Sequence, residues 1–148
     1  MRPREGGPRL GSRRRGSTFC GTFRAPTPKA RPLTERLIAT PAGIALGPLD
    51  LIADGAARGF VIEMRAGRFH GFVVRRGDAV YGYVDRCPHM GLPLAQKLDD
   101  YVAGDMIACS WHGAVFDTAS GKCRGGPCPG TALTPWPVTI RDGTIVTA

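Results

Sequence analysis

From Pro41 onward the chain runs as short apolar stretches broken by Gly, Pro or Asp about every 8 to 12 residues, the spacing of an all-β sandwich or barrel. Phe60 to Met64, Phe69 to Arg75 and Val80 to Asp85 are expected to be strands. The turns between them fall at Ala66-Gly67 and Gly77-Asp78, whose glycines supply the positive φ that tight hairpins need, so the three strands should form an antiparallel meander. Shorter strands are expected at Met106 to Ala108, Ala114 to Phe116, Val138 to Ile140 and Thr144 to Thr147, the last two joined across Arg141-Asp142-Gly143. Little helix is expected, and no internal repeat is visible.

Before this pattern lies a different composition. Residues 1 to about 33 are rich in Arg, Pro, Gly and Ser with isolated hydrophobes, too little apolar surface to offset the entropy of ordering. The expected organisation is a basic, disordered segment over residues 1–40 followed by one domain over 41–148, and 148 residues suffice for a single core. The charge follows the same division. Ten of the twenty Lys and Arg fall in residues 1–36 against Glu5 and Glu35, which accounts for the whole formal +8, while residues 37–148 carry ten cations and ten carboxylates. The globular part is therefore neutral, and nucleic acid is not the expected partner. No apolar run approaches the eighteen or so residues of a membrane span. Ser12-Arg13-Arg14 has the look of an export signal, but the stretch after it holds Arg24, Lys29 and prolines in place of an apolar segment, so a cytoplasmic location is expected.

Five cysteines, an odd number with histidines close to two of them, fit metal binding in a reducing compartment better than a disulfide framework. Cys87-Pro88-His89 and Cys109-Ser110-Trp111-His112 each offer one thiolate and one imidazole just after an expected strand, and each opens a loop containing glycine, Gly91 or Gly113. Two adjacent loop tips could present all four donors to one site. A structural Cys2His2 zinc site would use the same atoms, but zinc knuckles commonly contribute donors of one kind each. A mixed pair from each loop suits two irons, one taking both thiolates and the other both imidazoles.

These residues resemble a known family. Cys87-Pro88-His89-Met90-Gly91-Leu92-Pro93-Leu94, then Cys109-Ser110-Trp111-His112-Gly113-Ala114-Val115-Phe116-Asp117, then Gly121 and Gly126-Pro127, are similar in order and spacing to the Rieske domain pattern, over roughly Leu49 to Val146. The resemblance implies an all-β fold, a Rieske-like antiparallel β-sandwich with a small cluster-binding subdomain of two ligand loops and a proline loop. It implies one [2Fe-2S] cluster, with Cys87 and Cys109 on the inner iron and His89 and His112 on the outer. It also implies that Gly125 to Gly130, with Pro127 and Pro129, covers the cluster and that Leu94 and Trp111 help shield it. Two thiolates in place of four leave the oxidised core neutral, so adding an electron meets less like charge and the potential lies above that of an all-cysteine cluster.

The chain also departs from part of that family. The Rieske proteins of respiratory cytochrome bc complexes add a cysteine to each ligand loop, where this sequence has Leu92 and Trp111. They also place serine and tyrosine hydroxyls near the cluster where this sequence has Ala114 and Phe116. Losing two donors to sulfur points to the lower end of the roughly −150 to +300 mV Rieske range, the ferredoxin and oxygenase type. The implied function is that of a one-electron carrier serving an oxygenase system, with a flavin-dependent reductase as donor, a terminal oxygenase or reductase as acceptor, and no catalytic site of its own. This expectation rests partly on His70 being the only histidine outside the two motifs, too few for a second, mononuclear iron site. Two alternatives stand beside it: a small redox subunit of a nitrite-reductase type of enzyme, and a zinc or redox-sensing module that contacts its partner through the basic segment. His70 is read as a structural strand residue and Cys20 as an incidental thiol. For Cys123 and Cys128 three readings stand: small buried hydrophobes, a local disulfide, or spare ligands.

Overall fold

Phe69, Phe72, Val73 and Val74 are consecutive or nearly so, and all four are fully buried, because the strand that carries them has a core on each of its faces. In the computed structural model, which describes residues 36–148, the strands are β1 (Arg36–Leu37), β2 (Ala45–Pro48), β3 (Ala57–Met64), β4 (Gly67–Arg76), β5 (Ala79–Val84), β6 (Val102–Ala103), β7 (Met106–Ala108), β8 (Val115–Asp117), β9 (Cys123–Gly125), β10 (Val138–Arg141) and β11 (Thr144–Thr147). The helical content among them is one 3-10 turn, Leu49–Leu51. The expected meander is present as β3, β4 and β5, antiparallel throughout, with β1 added parallel to β4. A second sheet runs β10-β11-β2 and a third runs β6-β7-β8-β9. The fold is all-β, as expected.

Alternation along β4 assigns its side chains to two cores. Phe69 and Val73 point with Val84, Trp136, Ile52 and Ile145 into the core shared with the second sheet. Phe72 and Val74 point the other way, with Tyr83, Tyr101, Ile107 and Phe116, into the core shared with the third sheet, and that core also takes in Cys87 and Cys109. Trp136 fills the first of these. Its ring lies 4.7 Å from that of Phe69, its Nε1–H donates to Thr40 Oγ1 at 2.8 Å, and it packs where a Cβ on Gly71 would stand. The segment around it runs beside β5, with Val84 N–H donating to Thr134 O and Trp136 N–H to Gly82 O, both at 2.9 Å.

Several boundaries differ from the expectation. The register pairs Met64 with Gly67, so the first hairpin turns on Arg65-Ala66 and Gly67 already belongs to β4. Ala114 is a fully buried loop residue, and β8 begins at Val115. Within the span expected to be a tail up to residue 40, Arg36 and Leu37 pair as β1 with Arg68 and Phe69. The rest of that span, residues 1–35 with Cys20, lies outside the described residues. Among the described residues no helix is long and apolar enough to cross a membrane.

Truncating Trp136 would empty the centre of the core between the first two sheets. Trp136→Ala should cost about 3–5 kcal/mol of unfolding free energy, and Trp136→Phe, which keeps a ring but loses the bond to Thr40, should cost clearly less, both measured by urea unfolding.

Candidate metal centre

The two Cys/His segments are built on one backbone frame. In the first, Gly91 N–H donates to Cys87 O and Cys87 N–H donates to Leu92 O, both at 2.7 Å. In the second, Gly113 N–H donates to Cys109 O at 3.1 Å and Cys109 N–H to Ala114 O at 2.8 Å. Each cysteine thus sits at the neck of a loop closed four and five residues later. The closing residue has φ +70° at Gly91 and +71° at Gly113, a left-handed backbone that glycine adopts without steric cost. The difference between the loops is the position of histidine, two residues after Cys87 in one and three after Cys109 in the other.

The frame sorts the donors by depth. Cys87 and Cys109 are buried in the core with Leu94, Phe116 and Ala114, His89 is half-buried and His112 is exposed. The imidazole rings meet edge to face, 5.0 Å between centroids. Burial pushes the Cys87 thiol up; the backbone N–H groups of His89 and Met90 directed at its sulfur oppose this, and the neighbouring Cys109 thiol adds to the rise. Such a thiol becomes a thiolate when a cation compensates for its desolvation. His89 Nδ1 is buried and has no hydrogen-bond partner, a condition that a metal bond relieves.

These features fit a two-metal cluster: two sulfur donors inside, two nitrogen donors outside, one nitrogen orphaned, and N–H groups aimed at sulfur. A single zinc ion would use the same four donors, but each loop here contributes one thiol and one imidazole, where zinc knuckles commonly contribute donors of one kind. His70 is on β4, half-buried, and its basicity is lowered first by burial and then by Arg36. Leu94 is fully buried beside the cysteines, whereas Trp111 is 46% exposed and, with Met90 and Leu92, forms an apolar rim on the two loops. The third loop follows β9. Its Gly126, at φ +94°, lies so close to the second ligand loop that a Cβ there would stand 2.6 Å from Ala114 Cα.

One residue with a structural part at the site went unnoticed in the sequence. Asp85, buried at the end of β5 and two residues before Cys87, accepts Leu94 N–H on Oδ1 at 2.7 Å and Tyr101 O–H on Oδ2 at 3.3 Å. Leu94 O in turn accepts Ser110 N–H at 2.8 Å, so the chain of bonds ties the exit of the first loop to the second. Burial raises the Asp85 carboxyl above its ordinary range, and these two bonds pull it back. In the sequence Asp85 shows only as a carboxylate closing an apolar strand two residues before Cys87, which does not reveal its partners.

Residues 53–139 match the family described as the Rieske [2Fe-2S] domain. The chain is 30% identical over 76 residues to ferredoxin CarAc of Metapseudomonas resinovorans, covering 51% of this chain and 67% of that protein. Among solved structures it resembles a chain of the complex of reduced oxygenase and oxidised ferredoxin in carbazole 1,9a-dioxygenase, at 26% identity and a TM-score of 0.58, covering 71% of this chain and 91% of that one. It also resembles the Sphingomonas yanoikuyae B1 ferredoxin, at 26% identity and a TM-score of 0.55, covering 70% and 95%.

If Asp85 holds the loops together, the two obvious replacements should separate. Asp85→Ala leaves Leu94 N–H buried without an acceptor and should cost about 1–3 kcal/mol in denaturant unfolding, whereas Asp85→Asn keeps an acceptor oxygen and should cost well under half as much.

Proposed function

We propose, from the premise that the chain belongs to the Rieske [2Fe-2S] domain family and binds that cluster, that Cys87 and Cys109 hold one iron through sulfur, that His89 and His112 hold the other through a ring nitrogen each, and that the protein delivers single electrons to an oxygenase. The observation that carries the ligand assignment is the pair of loops closed by matching hydrogen bonds, with thiols inside and imidazoles outside. The bound cluster supplies reversible one-electron oxidation and reduction. Cys87 and Cys109 keep its inner side away from water, with Leu94 and Phe116 packed around them. His89 and His112 bring the outer side toward the surface, the short route for an electron to a docked partner.

The exposed rim of Met90, Leu92 and Trp111 beside those imidazoles is an apolar face for such a partner to cover. By likeness to the oxygenase–ferredoxin complex of carbazole 1,9a-dioxygenase, the acceptor is a terminal oxygenase; the donor we infer for such a carrier is a flavin-dependent reductase. The cluster-binding domain occupies residues 41–148 after a basic segment. The location is cytoplasmic, where the thiols of Cys123 and Cys128 stay reduced unless an oxidant reaches them.

Dithionite-reduced protein should carry two irons and two sulfides per chain and give a rhombic electron paramagnetic resonance signal with a mean g value below that of an all-cysteine cluster. Alanine at any one of Cys87, His89, Cys109 or His112 should abolish that signal; a signal surviving at any of the four would remove that residue from the ligand set. Ala114 and Phe116 are both fully buried beside the cysteines, so the double variant Ala114→Ser, Phe116→Tyr should raise the midpoint potential measured by redox titration.

A further inference from the structure

Cys123 and Cys128 lie outside the proposed ligand set, yet they stand together. Their Sγ atoms are 3.3 Å apart, and both thiols are free. Only Arg124-Gly125-Gly126-Pro127 separates them in sequence. Cys123 is partly exposed on β9 and its thiol also faces Gly125 O at 3.3 Å, whereas Cys128 is buried in the core that holds Cys87 and Cys109. Cys123 is thus the less buried of the two and Cys128 the more sheltered. A covalent S–S bond is about 2.05 Å long, so closure needs only a small approach of the two sulfurs. The two glycines between them are the residues best able to absorb it. Packing alone would ask for small apolar volume at both positions and has no use for two facing thiols.

We propose that Cys123 and Cys128 form a reversible dithiol–disulfide site that exchanges with low-molecular-weight disulfides of the glutathione class. The Cys123 thiolate attacks one sulfur of the small disulfide; the Cys123–S bond forms, the small disulfide breaks, and one small thiolate leaves. Cys128 gives up its proton and attacks the Cys123 sulfur, forming the internal disulfide and releasing the second small thiolate. Two protein thiols are oxidised, one small disulfide is reduced to two thiols, and the two protons end on them. The site lies next to the cluster without consuming it: Gly126, inside the closed ring, abuts Ala114 of the second ligand loop. The inference rests on the ligand assignment above, which leaves these two cysteines unbound.

The test uses full-length protein with its cluster, incubated anaerobically with excess oxidised glutathione, blocked with iodoacetamide and digested with trypsin without reductant. Cleavage after Lys122, Arg124 and Arg141 makes the bridge visible as Cys123-Arg124 linked to the peptide Gly125–Arg141. The expected result is that this linked pair forms in most chains and disappears with dithiothreitol, while iron content and visible absorption stay unchanged. Cys128→Ser should trap a glutathione adduct on Cys123, and Cys123→Ser should leave Cys128 unmodified. Both cysteines remaining free on a protein with an intact cluster would overturn the proposal, as would a link that appears only after iron is lost. Loss of iron from either serine variant before any oxidation would instead overturn the ligand assignment, and the inference with it.

Discussion

Each ligand loop hangs on two backbone hydrogen bonds made by its own cysteine, and the metal end of the molecule depends on those four bonds. A cysteine whose carbonyl is bonded four residues ahead and whose N–H is bonded to the fifth cannot turn without breaking both, so the Cα–Cβ direction is set before any metal arrives. The glycine that closes each loop is part of the same constraint, since another L-residue held at φ near +70° would strain the neck. Moving histidine by one place between two otherwise matching frames gives the imidazoles different exits, and the rings meet edge on and not stacked.

Preorganisation of this kind has a cost in buried polar groups. Two adjacent buried thiols, one orphaned imidazole nitrogen and a buried carboxyl at Asp85 would each destabilise an apolar core if left alone. Asp85 is satisfied within the protein by Leu94 N–H and Tyr101 O–H, and Tyr101 is in turn fixed by stacking on Phe72 at 4.3 Å. His89 Nδ1 is not satisfied within the protein, and this separates it from the groups that hold the loops. The burial that raises the Cys87 thiol makes a strong thiolate donor once a cation is bound.

The strands most legible in the sequence were those whose pattern is set by one local rule. Phe60 to Met64, Phe69 to Arg75 and Val80 to Asp85 are short, largely apolar stretches ended by turn residues, and they became β3, β4 and β5 with small changes at the ends. The strands that went unseen owe their existence to partners and not to their own residues. β2 contains Gly47 and Pro48, which read as loop; it is a strand because β11 lies beside it. β9 is Cys-Arg-Gly and is held by β8, and β1 lies in a basic stretch and is held by β4. The two matching Cys/His loops could be read because their spacing is a local property. Asp85 could not, because its acceptor role depends on Leu94, nine residues on, folding back over it. The proximity of Cys123 and Cys128 was likewise one of several possibilities until the loop between them had a path.

The two faces of β4 explain why the donors end where they do. One face is anchored through Phe69 and Val73 on the second sheet, with Trp136 filling the centre, and this leaves the other face as a rigid floor for the third sheet and its loops. Cys87 follows β5 and Cys109 follows β7, and both strands contribute to the same core, so the thiols inherit its depth. The histidines lie farther out along the same loops and reach the surface at Met90, Leu92 and Trp111. Three exposed apolar side chains cover far less than the roughly 800 Å² per partner of a stable complex. A small apolar rim on the two loops suits an encounter that orients a docked partner without making dissociation slow.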